Sequence, residues 1–206
     1  MFDSPNSPFA PLPGTTPAPR GLFVDRWGTL LVTPERGYAR TPDEVQFVPG
    51  ALDALFRAVR AGWRIYLVGN EDAVAYGDVT EQEWRAIDAR IQEELAGAGV
   101  SVARDYTCTT RPDGVPGQSA DSVYLLPNTG SFYHASHEDG IELEKSWVIG
   151  DSTLEIVAGW RAGVRQAAMR TGQSLGDRTF EVDPELQLDD LVSVVDVLLE
   201  RTALSA

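Results

Sequence analysis

The sequence GLFVDRWGTL at residues 21–30 decides the fold. Its apolar first half is typical of a short buried strand, which ends at Asp25. Two further apolar runs, IYLV and WVI, also end at polar residues. Because the carboxyl ends of parallel strands share one sheet edge, where such sheets bind ligands, we expect the three strand-end residues to form one site. A turn or helix-capping role is the alternative for each of them. These residues are Asp25, Asn70 and Asp151.

Helical patterns separate the predicted strands. Strands that alternate with helices predict an α/β fold with a doubly wound, Rossmann-like parallel sheet. A further strand is expected at residues 100–102 or 106–108, and Thr80 to Glu83 reads as a capping box that opens a helix. Helices are predicted over residues 52–59, 84–95, 131–138, 154–163 and 188–200.

Length and charge limit the classes of function. A chain of 206 residues is expected to form one domain. Its net charge of −14 repels phosphate backbones and anionic bilayers, so we expect neither a nucleic-acid partner nor a membrane partner. No apolar run reaches the roughly 20 residues of a membrane span. A single cysteine and a start without signal-peptide features favour a cytoplasmic protein.

The first 19 residues differ in composition from the rest of the chain. They contain six of the thirteen prolines, with Ser, Thr and Gly between them, and show no periodicity. Such a stretch is typical of a disordered or polyproline-like arm, and a docking role for it is the alternative. The predicted organisation is therefore an arm at residues 1–19 and one α/β domain at residues 20–206.

Residues 22–30 resemble the first motif, D-x-D-G-T, of the haloacid dehalogenase superfamily. Residues 62–70 and 146–151 resemble its second and fourth motifs, and the loop at 37–50 is similar to that of its histidinol-phosphate and heptose-bisphosphate phosphatase branch. The resemblance covers about residues 20–170. It implies a domain without a large cap, a nucleophilic aspartate that forms an aspartyl-phosphate, and a Mg²⁺ ion.

The resemblance assigns roles to particular residues. Asp25 matches the nucleophile. Mg²⁺ would be held by Asp25, the backbone carbonyl of Trp27 and Asp151, with Glu155 acting indirectly at the position of the second acid of the fourth motif. The ligand pocket would comprise Trp27, Gly28, Thr29, Gly69, Asn70 and Leu126.

Three departures from the family pattern fall on the chemistry. Trp27 stands where the family has its general acid/base aspartate, and an indole transfers no proton to a leaving alkoxide. Gly69 replaces a phosphate-binding Ser or Thr. Leu125 and Leu126 stand where the branch has Arg and Lys, so two positive charges are missing. These changes predict an impaired site that is more apolar and less cationic.

Other cations are weak substitutes for the missing pair. Lys145, the only lysine, is expected to start the strand that ends at Asp151 and so to lie at the opposite edge of the sheet. Arg26 and Arg111 are better placed, although a solvated position is the more ordinary expectation for both.

Zinc is not expected. Cys108 matches the first ligand of the zinc loop that the branch often carries, but Thr110 stands in place of the expected His and the later cysteine pair is absent. A buried, inert thiol is the ordinary alternative for Cys108. His134 and His137 have a spacing that could bind metal, yet two histidines and one cysteine over 30 residues are more often unrelated.

Two functions remain open from the sequence. The first is a non-catalytic ligand-binding or interaction protein, a pseudoenzyme, whose partner is a small molecule or another protein. The alternative is a slow or altered Mg²⁺-dependent phosphohydrolase that acts on a small phosphorylated metabolite such as a sugar phosphate. The sequence leaves the oligomeric state undetermined.

Overall fold

A computed structural model describes residues 19–203 of the chain. The predicted arm lies outside the described residues except for Pro19, whose carbonyl accepts a hydrogen bond from the Glu142 amide at 3.0 Å. Within the described part, no helix combines the length and apolarity needed to cross a membrane.

Six parallel strands form one sheet in the order β3-β2-β1-β4-β5-β6. Because β1 lies between β2 and β4, the ends of these three strands are neighbours. The strands are β1 (Arg20–Asp25), β2 (Trp63–Asn70), β3 (Val102–Cys108), β4 (Trp147–Gly150), β5 (Arg165–Met169) and β6 (Leu186–Leu188).

Helices cover both faces of the sheet, as the α/β pattern predicts. Two one-turn 3-10 helices, Pro42–Glu44 and Leu143–Lys145, lie in the connections. The α-helices are α1 (Ala51–Arg60), α2 (Asp72–Ala75), α3 (Glu81–Gly97), α4 (Gly130–Asp139), α5 (Thr153–Ala162) and α6 (Leu191–Ala203).

The alternation of side chains along β1 divides the core into two layers. Leu22 and Val24 belong to the larger layer, together with residues of α1, α3 and α6. Phe23 belongs to the smaller layer, where its ring stacks on Tyr66 at 4.7 Å and contacts Phe132 of α4 at 4.6 Å. Burial on both faces explains why β1 is an apolar run without polar alternation.

Two of the helices begin directly after a residue that caps them. The predicted box at Thr80 and Glu83 is present at the start of α3. A second box, formed by Ser152 and Glu155, opens α5 directly after β4 and holds the Glu155 side chain at the carboxyl edge of the sheet.

Several predicted elements need correction. Strands β5 and β6 were not expected, and β3 contains the second alternative proposed for it, residues 106–108, but only the last residue of the first, 100–102. The last helix begins at Leu191 rather than 188. Lys145 does not start β4 but ends a 3-10 helix two residues before it, where its ammonium pairs with Glu142 at 2.8 Å. It still lies at the edge opposite the three strand-end residues.

Candidate functional site

The carboxyl edge of the sheet brings the predicted strand-end residues to one cavity of about 340 Å³. Asp25 ends β1, Asn70 ends β2 and Asp151 follows β4. Trp27 and Glu155 also line the cavity. The topology thus gathers these residues as the sequence pattern led us to expect.

Asp25, Asp151 and Glu155 form a buried group of interacting carboxyls. Burial raises the pKa of Asp25 well above its usual range, and the charges of Glu155 and Asp151 raise it further, while the Arg26 charge lowers it. Burial raises the pKa of Asp151 to about 6, opposed by the amide of Gln173. Burial also raises the pKa of Glu155 to about 7. Such a group favours protons or a cation beside it.

The donor atoms at this edge fit a hard cation. In the described chain, no three His, Cys, Asp or Glu side chains converge in a metal-binding cluster. The Glu155 carboxylate takes part in the capping box of α5. Asp25 and Asp151 are the two carboxylates of this group that have no helix-capping role. Two carboxylates, a main-chain carbonyl and water form a donor set that Mg²⁺ accepts.

Gly28 permits close packing in the loop after β1. Its φ of 86° is left-handed, and a Cβ would collide with the Asp151 carboxylate and come within 2.9 Å of the Gly172 Cα. Thr29 is fully buried, and its hydroxyl finds no hydrogen-bond partner among the described residues. Gly28 and Thr29 therefore shape the loop beneath the site, and neither lines the cavity.

Arg26 is buried, with 1% of its surface exposed, so the expectation that it is solvated is wrong. Its guanidinium pairs with Asp105 at 3.3 Å and Glu71 at 3.8 Å, and lies over the Trp84 ring at 5.0 Å. These two carboxylates and the indole face compensate for its loss of water.

Gly69 leaves open the space between this guanidinium and Asp25. A Cβ at Gly69 would lie 2.8 Å from Asp25 Oδ1 and 3.7 Å from Arg26 Nη2. The Arg26 charge therefore acts on Asp25, whose pKa it lowers, although both family cations are absent. Gly69 does not line the cavity itself.

Glu71 is the residue that our sequence analysis missed. It lines the cavity, is 4% exposed, and its Oε2 accepts a hydrogen bond from the Trp27 indole Nε1 at 2.9 Å. Burial raises its pKa, opposed by the Arg26 charge and the Trp27 hydrogen bond. Its position directly after Asn70, at a strand end, was the sequence signal that could have identified it.

Leu126 does not line the cavity, which corrects the prediction for its side chain. The side chain packs in the smaller core layer with Tyr106 and Phe132. Its main chain holds the Asn70 side chain through two hydrogen bonds. The position at which the family has its lysine is therefore occupied by an apolar side chain of the hydrophobic core.

The residues considered for zinc have separate partners. The Cys108 thiol is buried and contacts the Thr110 carbonyl at 3.2 Å. His134 pairs with the Tyr124 hydroxyl at 2.9 Å, and the exposed His137 contacts Glu138.

The cavity has a strongly acidic lining. Arg111 does not line the cavity itself, although its guanidinium pairs with the lining residue Asp72 at 2.9 Å and with Asp113 at 3.4 Å. Among the described residues, the cavity lining contains no Lys or Arg. Its carboxyl groups are Asp25, Glu71, Asp72, Asp78, Asp151 and Glu155.

A doubly wound sheet with an aspartate at the end of β1 and another directly after β4 is typical of a haloacid-dehalogenase-like α/β protein. No family model matches the chain. Two relatives are heptose-1,7-bisphosphate 7-phosphatases that are 30% identical to it. The one from Mesorhizobium japonicum aligns over 86% of this chain and 82% of its own length, and the one from Thermosynechococcus vestitus over 88% and 96%.

Solved structures that resemble this chain include phosphatases of the same kind as these relatives. The D,D-heptose 1,7-bisphosphate phosphatase of B. bronchiseptica, complexed with magnesium and phosphate, is 23% identical, with a TM-score of 0.77 over 88% of this chain and 99% of that chain. A structure from Mesorhizobium loti described as a HAD-like phosphatase is 28% identical, with a TM-score of 0.71 over 91% and 87%. The chain belongs to the heptose-bisphosphate phosphatase branch of the haloacid dehalogenase superfamily.

Proposed function

We propose that this protein is a Mg²⁺-dependent phosphohydrolase that acts on a small phosphorylated metabolite of the sugar-phosphate class. The observation that carries the proposal is the pair Asp25 and Asp151, buried side by side at the carboxyl edge and open to a cavity of about 340 Å³. The activity named for its relatives, heptose-bisphosphate hydrolysis, supports the substrate class.

Asp25 is the proposed nucleophile. Its carboxylate attacks the phosphorus, and the bond from phosphorus to the leaving oxygen breaks, so that an aspartyl-phosphate forms. Water then attacks that phosphorus, the bond from phosphorus to the Asp25 oxygen breaks, and phosphate and the Asp25 carboxylate are released; the proton lost by the water balances the one gained by the leaving oxygen. The Arg26 charge lowers the pKa of Asp25 and so partly opposes the effects of burial and of the Glu155 and Asp151 charges, which raise it.

Mg²⁺ bound by Asp25, Asp151 and the Trp27 carbonyl would neutralise charge on the phosphoryl oxygens. The magnesium and phosphate in the complex with the B. bronchiseptica enzyme support this assignment. The ion has particular importance here, because the cavity lining supplies six carboxyl groups and no cationic side chain among the described residues.

A second candidate function is ligand binding or interaction with a protein partner, without turnover. The acidic lining favours it, because a dianionic phosphate is repelled by the same carboxyls that attract a cation. Trp27 favours it as well, since it lines the pocket with an apolar ring in place of the expected acid.

One experiment separates the two functions. The purified protein is incubated with a panel of phosphate esters, including a sugar bisphosphate, with Mg²⁺ or with a chelator, beside the Asp25→Asn variant. Turnover that needs Mg²⁺ and is lost in Asp25→Asn supports the phosphohydrolase. Turnover equal to that of the variant, together with a tryptophan-fluorescence response to a non-phosphate ligand, supports the binding protein instead.

A further inference from the structure

A groove of about 320 Å³ lies between helix α5 and the loop that precedes β6. It shares no lining residue with the cavity at the carboxyl edge. Its apolar lining includes Val157 and Trp160 of α5 and Phe180 and Val182 of the loop. Trp160 is the most exposed of the five tryptophans, with 71% of its surface accessible, while the others are buried or half-buried. A groove of this kind is typical of a surface that binds another polypeptide segment.

The groove combines aromatic rings with a hydrogen-bond donor. Trp160 and Phe180 come from the two elements that border it, and the Arg161 guanidinium lies over the Phe180 ring at 5.5 Å. The indole of Trp160 adds an N–H group at the exposed side chain. Aromatic-lined grooves of this kind recognise polyproline II segments, which have no internal hydrogen bonds and so leave their carbonyls free to accept.

The chain itself contains a segment that matches this chemistry. Residues 8–13 read PFAPLP, and Pro8 and Pro11 are separated by the three residues of one polyproline II turn. Phe9 and Leu12 have the same spacing and therefore share another edge of such a helix. No charged residue occurs at positions 4–18, so the acidic residues that also line the groove do not repel this segment.

The end of the arm is fixed on the same side of the sheet as the groove. Pro19 is held by its hydrogen bond to the loop before β4 and leads directly into β1. Gly21 faces the smaller core layer, because a Cβ there would contact Ile141 of that layer. Gln166 of the groove is in register with Val148 of the same layer and faces the same side.

The length of the arm fits the distance to the groove. Leu22, Trp147 and Arg165 lie side by side on β1, β4 and β5. Strand spacing and rise therefore place Pro19 about 15 Å from Arg165, which precedes a residue of the groove. The six residue steps from position 13 to position 19 span about 19 Å as polyproline II. Residues 8–13 can thus reach the groove of their own molecule.

We propose that residues 8–13 bind in this groove of the same molecule, with Phe9 and Leu12 packed against Trp160 and Phe180. Because the segment is linked to β1, its effective concentration at the groove is about millimolar, so a contact that is weak between separate molecules suffices. Binding covers the exposed indole of Trp160. The proposal is independent of the phosphohydrolase function.

The first test measures how strongly acrylamide quenches tryptophan fluorescence in full-length proteins. We expect quenching to increase in the double variant Phe9→Ser/Leu12→Ser, because the Trp160 indole becomes accessible. Adding Trp160→Leu should remove that increase. The matched control, Asn6→Ser/Thr16→Ser, changes the same arm outside the segment and should be quenched like the wild type.

The second test is competition with a fluorescein-labelled peptide of residues 5–16, followed by anisotropy. The double variant should bind the peptide, and the wild type should bind it at least about 10-fold more weakly because its own segment occupies the groove. Trp160→Leu in the double variant should abolish peptide binding.

Three results would overturn the proposal. The first is equal quenching in the wild type and the Phe9→Ser/Leu12→Ser variant. The second is equal affinity of these two proteins for the peptide, or binding to neither. The third is a quenching difference that grows with protein concentration together with dimers in sedimentation velocity, which would mean that the segment comes from a second copy of the chain.

Discussion

The side chain of Asn70 forms two hydrogen bonds with the main chain of Leu126. Its Nδ2 donates to the Leu126 carbonyl at 3.0 Å, and its Oδ1 accepts the Leu126 amide at 2.8 Å. The end of β2 is thereby tied to the loop that precedes α4. This pair, rather than a contact with ligand, accounts for an asparagine at the tip of the strand.

Loss of that pair should destabilise the fold. Asn70→Ala leaves two main-chain groups of Leu126 without their partner, so the free energy of unfolding should fall by about 1–3 kcal/mol. Denaturation in urea measures the change. Asn128→Ala, which removes one exposed hydrogen bond to the Ser122 carbonyl, is the control and should cost about 1 kcal/mol or less. Equal losses in the two variants would contradict this role for Asn70.

Arg26 should be far more important for stability than an exposed arginine. Arg26→Met leaves Glu71 buried without its ionic partner, and removing one member of a buried pair costs about 3–5 kcal/mol. Arg111→Met removes a partly exposed pair with Asp72 and should cost about 0–1 kcal/mol. Chemical denaturation of both variants tests the comparison. An Arg26→Met protein as stable as Arg111→Met would show that the buried guanidinium contributes little.

The buried Glu155 should make stability fall as pH rises. Its pKa is raised to about 7 in the folded state, chiefly by burial, against an ordinary value near 4.3. Between these values the folded state binds more protons than the unfolded state, so the free energy of unfolding decreases with increasing pH. The decrease begins near the lower value and is complete above the higher one.

Unfolding measured from pH 4.5 to 8 without divalent cations tests this dependence. Glu155→Gln removes one of the carboxyls with a raised pKa and should make the decrease smaller, while Glu142→Gln should not; Asp25 and Asp151, whose pKa values are also raised, leave a residual decrease. Since both variants keep His134 and His137, the difference between the two curves belongs to Glu155. Identical curves for wild type and Glu155→Gln would refute the assignment.

The sequence predicted the part of the site that depends on topology. Apolar runs that end in polar residues identified the ends of β1, β2 and β4, and parallel strands necessarily place those ends at one edge. The capping box at Thr80 was predicted correctly because its two hydrogen bonds are local in sequence. Strands β5 and β6 were missed because RQAAM begins with polar residues and LQL has only three residues.

The details of the site that were missed depend on tertiary contacts. Arg26 is buried because Asp105 and Trp84, which are distant in sequence, contact its guanidinium. No local sequence pattern predicts contacts of this kind. The partnership of Trp27 with Glu71 joins the ends of two strands. Leu126 was assigned to the pocket by alignment with a lysine, but an apolar side chain at that position turns into the core.

The six carboxyl groups around the cavity have a consequence for diffusional encounter. Enzymes of anionic substrates commonly use a positive field to speed capture, and added salt slows them. Here the field opposes an approaching dianion, so higher ionic strength should accelerate association by screening the repulsion. For the proposed phosphohydrolase, a substrate already chelated to a divalent cation would meet less opposition than the free anion, so the acidic entrance would favour the chelated form.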